Sequence, residues 1–533
     1  MPADHTRRFP RGAVASPHHL ASAAGAAVLR AGGNAVDAAV ATNLVLGVVA
    51  PYFCGPGGDL FALVVDPEGR THALDSAGRT PAAATVDQVR AAAEASPVPV
   101  GTSGAGGMPE LGALTVTVPG AVAGWHALLE RFGTRSFGDL AGEAIRLATD
   151  GVPVSVHAGG ALARSRERYA GHPSWQDAFG HLTAGDWWVQ PGHAAFLRAL
   201  ADDGPGALYG GPLGEELVEA VAAGGSAMTL DDLRAHRVAD VEPLTTTFGP
   251  WEVVELPPPT QGVTAVTALG VAQRLLAADA PDPGGDEAAT AHLDVEAVRL
   301  ALLDRAAHLA DPARMRTTPA ALTDPARLDA LAATVDPERA AAHPPATPAP
   351  GGTAYLCAAD ADGWAISLIQ SNYTGFGSGV VLPRSGVTLH NRGAQLSLDP
   401  TDVNVLAGGV QPPHTLIPAL LRRDGACEVV FGTMGGDGQA QTHLQVLRRL
   451  ARGADLQQAI AAPRWVVSPA DGSVTVEDRA GETIVDGLRA RGHTVHVTGP
   501  YEGLLGHAHA IRLEHPGFAA ASDPRAEGAA AGW

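Results

Sequence analysis

The sequence predicts an α+β fold in which antiparallel sheets are covered by helices. Helical patterns fill most of residues 18–309, and short apolar strands with glycine-rich turns follow Gly363. Helical patterns return near the carboxyl end, over Gln441–Ala451 and Glu482–Arg491. This order lacks the regular strand–helix alternation that a doubly wound parallel sheet requires.

The bulk composition restricts the class of protein. A chain of 533 residues with 46% hydrophobic residues is expected to form one large or two packed globular domains. The formal net charge of −20 argues against nucleic acid or an anionic membrane surface as a partner. We find no signal peptide and no apolar run long enough to span a bilayer, so the cytoplasm is the expected location.

Two helices and a hairpin are expected first. The first helix runs from His18 to Arg30 and ends at Gly32-Gly33, which is a favourable helix terminator. Asn34 and Asp37 begin a second apolar helix through Val48. A glycine-rich loop then leads into the expected hairpin, and the predicted segments are the loop Cys54–Asp59 and the strands Leu60–Val65 and Thr71–Ser76.

The middle of the chain reads as mainly helical, with one strand. The expected helices are Ala121–Arg131, Gly138–Thr149, His193–Asp202, Gly214–Ala223, Val263–Ala277 and His292–Leu309. The strand Trp251–Leu256 ends at three consecutive prolines, Pro257 to Pro259.

A second hairpin places one threonine in a distinctive position. Two apolar strands flank the turn Ala361-Asp362-Gly363, which is a strong hairpin signal, and a proline-rich stretch over residues 343–350 precedes the first strand. Thr353 lies at the start of that strand. If the chain breaks before Thr353, the freed α-amine can act as the base for its hydroxyl, which makes the residue a nucleophile.

Several other chemistries are disfavoured. The Gly55–Gly58 loop has no Lys-Ser/Thr and precedes a strand, so it is not a phosphate-binding loop. No Gly-x-Ser-x-Gly elbow lies between a strand and a helix. The 21 histidines are scattered, and the three cysteines have no metal-type spacing. We therefore expect no cofactor and no metal ion.

At several places the sequence resembles the gamma-glutamyltranspeptidase family of N-terminal-nucleophile hydrolases, in particular a subgroup that includes cephalosporin-acylase-type proteins. The resemblance extends from about Ser16 to about Gly528. Each motif is weak alone, and their order and spacing are specific. They are Leu29–Ala41, Gly55–Gly58, Pro257–Pro259, Asp304-Arg305, Asp311-Pro312, the Thr353 hairpin, Gly435-Gly436, Ala462–Arg464 and Asp523–Arg525.

The resemblance implies a four-layer αββα sandwich that is made as a precursor. Such precursors cut themselves before the nucleophile, here between Gly352 and Thr353. Residues 1–352 would then form a large subunit and residues 353–533 a small one, interleaved in one domain. The catalytic roles carry over well, since Thr353 matches the nucleophile and Ser371 stands where a second threonine holds it. Gly435 and Gly436 match the pair whose N–H groups form the oxyanion hole.

The substrate-binding positions depart from the family pattern. Arg392 replaces a glutamine, and Gln395 stands where an acidic residue normally pairs with the substrate's α-ammonium. His414 and Thr415 replace a serine pair that contacts the α-carboxylate. Burying an ammonium without a carboxylate costs several kcal/mol, so this site is expected to disfavour an α-amino acyl group.

The remaining binding positions are shifted. Tyr373 replaces an asparagine, and Asn372 precedes it by one position. We expect Ser371 and Tyr373 to share one strand face. The carboxylate-binding arginine of the first half is displaced by two positions and would be Arg79. Together with Arg392 it favours an acyl group that carries a free carboxylate.

These observations predict a self-processing hydrolase or acyltransferase acting on an amide, small-molecule or peptide, with an anionic acyl group. Three alternatives stay open: an ordinary γ-glutamyl hydrolase or transferase, a specialised secondary-metabolism hydrolase that cleaves an amide or C–C bond, and an uncleaved inactive scaffold. The assembled state, including a homodimer of heterodimers, also stays open.

Overall fold

The computed structural model describes residues 5–96, 106–342 and 352–533. Two seven-stranded sheets lie face to face, and helices cover the outer face of each. The predicted α+β class and the four-layer αββα sandwich are therefore confirmed. Across the described ranges, no helix is both long and apolar enough to cross a membrane.

The sheet that carries the proposed nucleophile is called here the Thr353 sheet. All of its neighbouring strands are antiparallel. In spatial order its strands are Ala529–Gly532, Gly12–Ser16, Gly352–Asp360, Ala365–Tyr373, Asp59–Val65, Thr71–Ser76 and Ala239–Asp240.

The second sheet is called here the Gly435 sheet, because one of its strands ends just before that glycine. It is also antiparallel throughout. In spatial order its strands are Arg7–Phe9, Phe518–Ser522, Ala508–Leu513, Ala426–Thr433, Ala419–Arg423, Trp251–Glu255 and Leu244–Phe248. A smaller three-stranded sheet contains Trp465–Val467, Val474–Glu477 and Val495–Thr498. A two-stranded sheet pairs Val152–Pro153 with Trp187–Trp188.

The helices fall into two groups that match the two outer layers. Longer helices before residue 240 are His19–Arg30, Ala35–Val49, Val86–Ala95, Ala121–Phe132, Phe137–Asp150, Val156–Arg168, Pro191–Asp203, Pro212–Ala222 and Leu230–Ala235. Longer helices after it are Gly262–Leu275, Glu287–His308, Pro325–Ala332, Gly438–Ala451, Leu456–Ala461 and Glu482–Ala490. Short turns of helix cover Ala113–Thr115, Pro173–Gly180, Gly206–Tyr209, Pro283–Gly285, Pro319–Leu322, Arg392–Gln395, Asp478–Ala480 and Gly503–Leu505.

Three apolar layers hold the sandwich together. Between the sheets, Tyr355 and Ile369 of the Thr353 sheet pack in one cluster with Val430 and Ile511 of the Gly435 sheet. The other two layers lie between each sheet and its helices. The Thr353 hairpin is buried along both strands, which explains why its sequence is apolar without alternation.

Several local expectations are confirmed. The two strands of the Thr353 hairpin pair antiparallel, and Gly363 in its turn has a φ of 96°. Asn34 and Asp37 form a reciprocal capping box at the start of Ala35–Val49.

The sequence prediction missed the strand Gly12–Ser16, which separates Ala529–Gly532 from the strand Gly352–Asp360. The proline-rich stretch over residues 343–350 lies outside the described residues.

Strands from before and after Gly352 are intermixed in both sheets. In the Thr353 sheet, Gly12–Ser16 pairs with Ala529–Gly532 on one side and with the nucleophile strand on the other. In the Gly435 sheet, Trp251–Glu255 pairs with Ala419–Arg423. Neither half of the chain therefore completes either seven-stranded sheet without the other.

Candidate active site

Thr353 lies at a break in the regular pairing of its hairpin. Gly352 pairs with Tyr373 and Thr353 pairs with Ser371, so Asn372 forms a β-bulge between them. The bulged Asn372 donates its backbone N–H to the carbonyl oxygen of Phe53 at 3.1 Å. The bulge interrupts the simple alternation from which Ser371 and Tyr373 were expected to share a face.

The hydroxyl of Thr353 belongs to a short hydrogen-bond relay. It donates to Ser371 Oγ at 3.0 Å, and Ser371 Oγ donates to the carbonyl oxygen of Gly352 at 2.7 Å. The N–H of Tyr373 donates to the same Ser371 oxygen at 2.8 Å. Thr353 is only 1% exposed. The relay thus joins a buried hydroxyl to the carbonyl of the preceding peptide bond.

Close backbone packing surrounds this peptide bond. A Cβ on Gly352 would lie 2.4 Å from the backbone nitrogen of Gly375, so no side chain fits there. A Cβ on Gly58 would lie 2.3 Å from the carbonyl oxygen of Ser371. The glycine-rich loop is therefore needed for close approach to the Ser371 strand rather than for binding phosphate.

Gly435 and Gly436 form the turn between the strand Ala426–Thr433 and the helix that begins at Gly438. Their φ values are 139° and 53°, which favour glycine. Gln261 fixes this turn, because its Nε2 donates to the carbonyl oxygens of Gly436 and Thr415 at 2.8 Å each. Arg305 in turn donates to Gln261 Oε1 at 3.0 Å.

An open cleft of about 540 Å³ borders both Gly352 and the segment that leads into this turn. Gly352 and Met434, which directly precede Thr353 and Gly435, both line it. The predicted nucleophile and the predicted oxyanion-hole turn therefore approach the same space.

Arg392 is a buried cation beside the nucleophile's hairpin. It is 1% exposed, and its guanidinium carbon lies 4.2 Å from the centre of the Tyr373 ring. Within the described ranges, none of its guanidinium nitrogens has a hydrogen-bond acceptor. Burial lowers the pKa of Arg392 to about 10, so the group stays cationic at neutral pH. Gln395 donates to the Tyr373 hydroxyl, and Tyr373 itself has a φ of 75°.

Asp59 is a second buried charge, and the sequence reasoning missed its role. It pairs with Ser371 across the Thr353 sheet, and its Oδ2 lies 3.2 Å from His390 Nδ1 and 3.5 Å from His414 Nε2. Burial alone would raise the pKa of Asp59, but the two histidines and Arg392 lower it to about 2. Burial holds the pKa of His414 well below its ordinary value, so that ring is neutral.

The other predicted binding residues are less central. Arg79 is half-exposed and donates to Asp311 Oδ2 at 2.9 Å and to the carbonyl oxygen of Gly409 at 2.9 Å. Thr415 is buried and joined to the Gly436 turn through Gln261. Asn372 anchors the bulge, since its Nδ2 donates to the carbonyl oxygen of Pro51 at 3.1 Å.

Sequence reasoning missed three residues that organise the site, Asp59, Gln261 and His390. Each lies in or close to a motif that was noticed for another reason: Asp59 ends the glycine-rich loop, Gln261 lies two positions after the three prolines, and His390 precedes Asn391-Arg392. A buried polar residue directly beside a motif of this kind is the signal that could have identified them.

One buried group elsewhere has the composition of a metal site. The candidate ligand atoms of His292, Glu296 and His493 lie within 4.8 Å of one another. These side chains already have partners, because His292 Nδ1 lies 2.8 Å from His493 Nε2 and Arg299 donates to Glu296 Oε2 at 2.9 Å. A cation here would also face the Arg299 guanidinium.

Comparison with known proteins gives consistent results across the chain. The family model described as gamma-glutamyltranspeptidase matches residues 21–533. The oxamate amidohydrolase proenzyme of Klebsiella pneumoniae subsp. pneumoniae is 38% identical over 546 residues, covering 98% of this chain and 98% of that protein. The Acylase ACY 1 proenzyme of Pseudomonas sp. (strain SE83) is 31% identical, covering 91% of this chain and 87% of that protein.

A solved structure supports the same relationship. The crystal structure of cephalosporin acylase from Bacillus halodurans matches with a TM-score of 0.91 and 32% sequence identity. The match covers 100% of this chain and 98% of that one. The similarity therefore extends over the whole sandwich rather than over one layer.

Proposed function

Because the chain belongs to the gamma-glutamyltranspeptidase family, we propose that Thr353 is the nucleophile of a self-processing amidohydrolase whose substrates carry an anionic acyl group. The chain is an enzyme of the hydrolase and acyltransferase class to which this family belongs. Its relatives bear the word proenzyme in their names. The nucleophile and the acyl group are the new elements of the proposal.

The observation that carries the proposal is the relay from Thr353 through Ser371 to the Gly352 carbonyl oxygen. In processing, Thr353 Oγ1 attacks the Gly352 carbonyl carbon while Ser371 accepts a hydrogen bond from the Thr353 hydroxyl and donates one to the developing oxyanion, and the hydroxyl proton passes towards the amide nitrogen. The C–N bond to Thr353 breaks, its nitrogen takes up the proton, and an ester remains. Water then hydrolyses the ester, which leaves a Gly352 carboxylate and a free Thr353 α-amine.

The freed α-amine is the base for turnover. It takes the proton from Thr353 Oγ1 as that oxygen attacks the substrate amide, and it returns the proton to the leaving amine. The acyl group is then bound to Thr353 as an ester until water or another amine attacks it. N–H groups of the Gly435-Gly436 turn would stabilise the oxyanion, and removing such a donor typically costs about 3 kcal/mol in the transition state.

Arg392 is proposed to hold the anionic end of the acyl group. A buried guanidinium that lacks an acceptor in the described chain is costly, and a substrate carboxylate would supply two charge-assisted hydrogen bonds. Position 395, where an acidic residue would pair with an α-ammonium, is an amide, and the Asp59 carboxylate lies against His390 and His414. Oxamate, named for the Klebsiella relative, is an amide with a carboxylate on its acyl side.

Processing can be tested by mass spectrometry of the purified chain. We expect two fragments, residues 1–352 and 353–533, which stay associated because their strands are intermixed in both sheets. Thr353→Ala should stay a single chain, and Thr353→Ser should still cut because it keeps a hydroxyl. An uncut native chain that forms no ester with substrate would identify an inactive scaffold and contradict the proposal.

Acyl preference can be tested with two amides of one amine, one glutaryl and one γ-glutamyl. They differ only in the α-ammonium group. We expect the glutaryl amide to have a kcat/KM at least about tenfold higher, because the ammonium is buried without a counter-charge. A higher kcat/KM for the γ-glutamyl amide would make the ordinary γ-glutamyl hydrolase the better assignment.

A further inference from the structure

The cleft of about 540 Å³ is the open space that reaches the reacting peptide bond. One end is lined by Gly352, Gly375 and Met434, and the other by the Val156–Arg168 helix and residues 499–504. Its size is within the range of sites that bind drug-sized molecules. A ligand that fills the cleft would therefore lie beside Gly352.

Apolar side chains form part of the wall of the cleft. Tyr52 and Phe53 are buried and form part of its lining, with their ring centres 4.4 Å apart. Val156 and Leu504 also line it, and they are 83% and 76% exposed. These two are the most exposed large hydrophobic side chains in the described part of the protein. An apolar group entering the cleft would shield both from water.

His507 is a buried polar residue in the lining of the cleft. It is 1% exposed, and in the described chain neither ring nitrogen has a hydrogen-bond partner. Its ring meets those of Phe53 and His157 edge-on, at 5.5 Å and 5.6 Å between centres. Burial holds the pKa of His507 well below its ordinary value, so at neutral pH the ring offers one donor and one acceptor and no charge.

Charge at the cleft is balanced. Arg164 and Glu502 line it and carry opposite charges. Arg525 also contributes to the lining, but its guanidinium makes two 2.7 Å hydrogen bonds with Glu477. A strongly charged ligand therefore gains little, whereas an apolar ligand with one or two polar atoms gains contacts along the whole cleft.

The two sides of Thr353 differ in how open they are to solvent. Arg392 is fully buried, and the described lining of the cleft does not include it. An acyl group stays on the enzyme between the two halves of the reaction, so an enclosed pocket suits it. The amine half must leave and be replaced by water or another amine, which requires an open route to Gly352.

We propose that this cleft binds the amine half of the substrate, and that this half is an uncharged, bulky apolar or aromatic group attached to the amide nitrogen. This inference rests on the proposed function. In hydrolysis the product amine leaves through the cleft, and in acyl transfer an acceptor amine of the same class enters there. Tyr52, Phe53, Val156 and Leu504 provide the apolar contacts, and His507 provides the polar one.

The test compares two amides of the same anionic acyl group, one of 2-phenylethylamine and one of ethylamine. These amines have similar basicity, so they differ mainly in the phenyl ring. The expected kcat/KM is at least about tenfold higher for the phenylethyl amide, since the ring buries apolar area in the cleft. Equal values for the two amides would overturn the inference.

Variants of the exposed residues Val156 and Leu504, called here the rim variants, test whether the phenyl ring binds in the cleft. Val156→Asp and Leu504→Asp should each lower kcat/KM for the phenylethyl amide about fivefold, and clearly more than for the ethyl amide. Val156 is the first residue of its helix, where an acidic residue is tolerated. Val189→Asp is the matched control, because Val189 is another exposed valine that precedes a helix and lies outside the described cleft lining.

The outcomes separate this inference from the function on which it rests. If neither amide forms an ester on Thr353, the proposed function fails, and the inference fails with it. If both are hydrolysed and the rim variants slow them equally, only the inference fails. If the rim variants slow self-cleavage alone, the cleft serves the chain's own segment before Gly352, which also overturns the inference.

Discussion

Two buried arginine sites in this protein are arranged in opposite ways. Arg464 donates to Asp523 and to the carbonyl oxygens of Ile460, Leu505 and Gly506, and Arg525 is paired with both Glu477 and Asp523. Arg392 stacks on Tyr373, and its guanidinium nitrogens find no acceptor within the residues described. Equal burial thus accompanies carboxylate and carbonyl acceptors at one site and, within the described residues, no acceptor at the other.

We interpret the difference as that between a structural site and the proposed substrate-binding site. The cluster of Arg464, Glu477, Asp523 and Arg525, called here the Asp523 cluster, braces Gly506, where an added Cβ would lie 2.6 Å from the carbonyl oxygen of Met434. The Asp523 cluster therefore supports, through Gly506, the segment that leads into the Gly435-Gly436 turn. Arg392 gains a full set of hydrogen bonds only from a ligand, so its burial is a cost that substrate binding can offset.

The largest expected effect is on the stability of the Asp523 cluster. Asp523→Asn leaves Arg464 and Arg525 without their shared carboxylate charge, and breaking such a buried pair typically costs about 3–5 kcal/mol. The melting temperature should fall sharply, or folded protein should fail to accumulate. A variant that melts like the native protein would contradict the structural role given to this cluster.

Arg392→Met should lower activity without lowering stability, unlike Asp523→Asn. Replacing a buried arginine that lacks acceptors in the described chain with an apolar residue of similar length should leave the melting temperature unchanged or raise it. The kcat/KM for an anionic amide should fall by about a hundredfold, because the charge-assisted contacts are lost. Arg392→Lys, which keeps the charge, should retain part of the activity. If Arg392→Met lowers the melting temperature but keeps the native kcat/KM while it is folded, Arg392 has a structural role.

A pH series sharpens the comparison at Asp59. The pKa of Asp59 falls from 3.8 to about 2 in the folded protein, so its carboxylate stabilises the fold above about pH 4. This stabilisation, about 2 kcal/mol, is lost as the pH falls through about 2. Between pH 5 and 2.5 the melting temperature should fall less in Asp59→Asn than in the native protein. Equal slopes would show that Asp59 is not the titrating group.

The smallest effect is expected from adding a charge near Arg392. Gln395→Glu places a carboxylate beside Tyr373 and should shift the glutaryl to γ-glutamyl ratio of kcat/KM about tenfold towards γ-glutamyl. Gln395→Met is the control, because it removes the hydrogen bond to the Tyr373 hydroxyl without adding charge. If both variants change the ratio alike, the hydrogen bond rather than the charge sets the preference.

The sequence predicted local features better than buried polar contacts. The Thr353 hairpin was found because its Asp-Gly turn and apolar strands are local signals, and the capping box at Asn34 and Asp37 is local as well. The strand Gly12–Ser16 was missed because its small residues give no alternation and its partners are more than 300 residues away. Pairing over such separations is set by the whole sheet.

The candidate site shows the same difference between local signals and long-range contacts. Thr353, Ser371 and Arg392 were proposed as site residues from motifs, whereas the Asn372 bulge, the Asp59 contacts and the Gln261 bridge depend on segments that meet only in the folded protein. Arg79 was predicted to bind a carboxylate, and its nearest carboxylate is that of Asp311. Such contacts leave no spacing pattern that a sequence can reveal.

The intermixed strands of the two sheets have a consequence for maturation. Before a cut at Gly352, both halves belong to one chain, so each strand finds its neighbours at a high effective concentration. After the cut, rebuilding the same sheets from unfolded fragments requires two molecules to meet and insert strands in alternation. Scission would then turn a reversible folding reaction into a one-way event, and the working enzyme would persist for as long as its unfolding barrier allows.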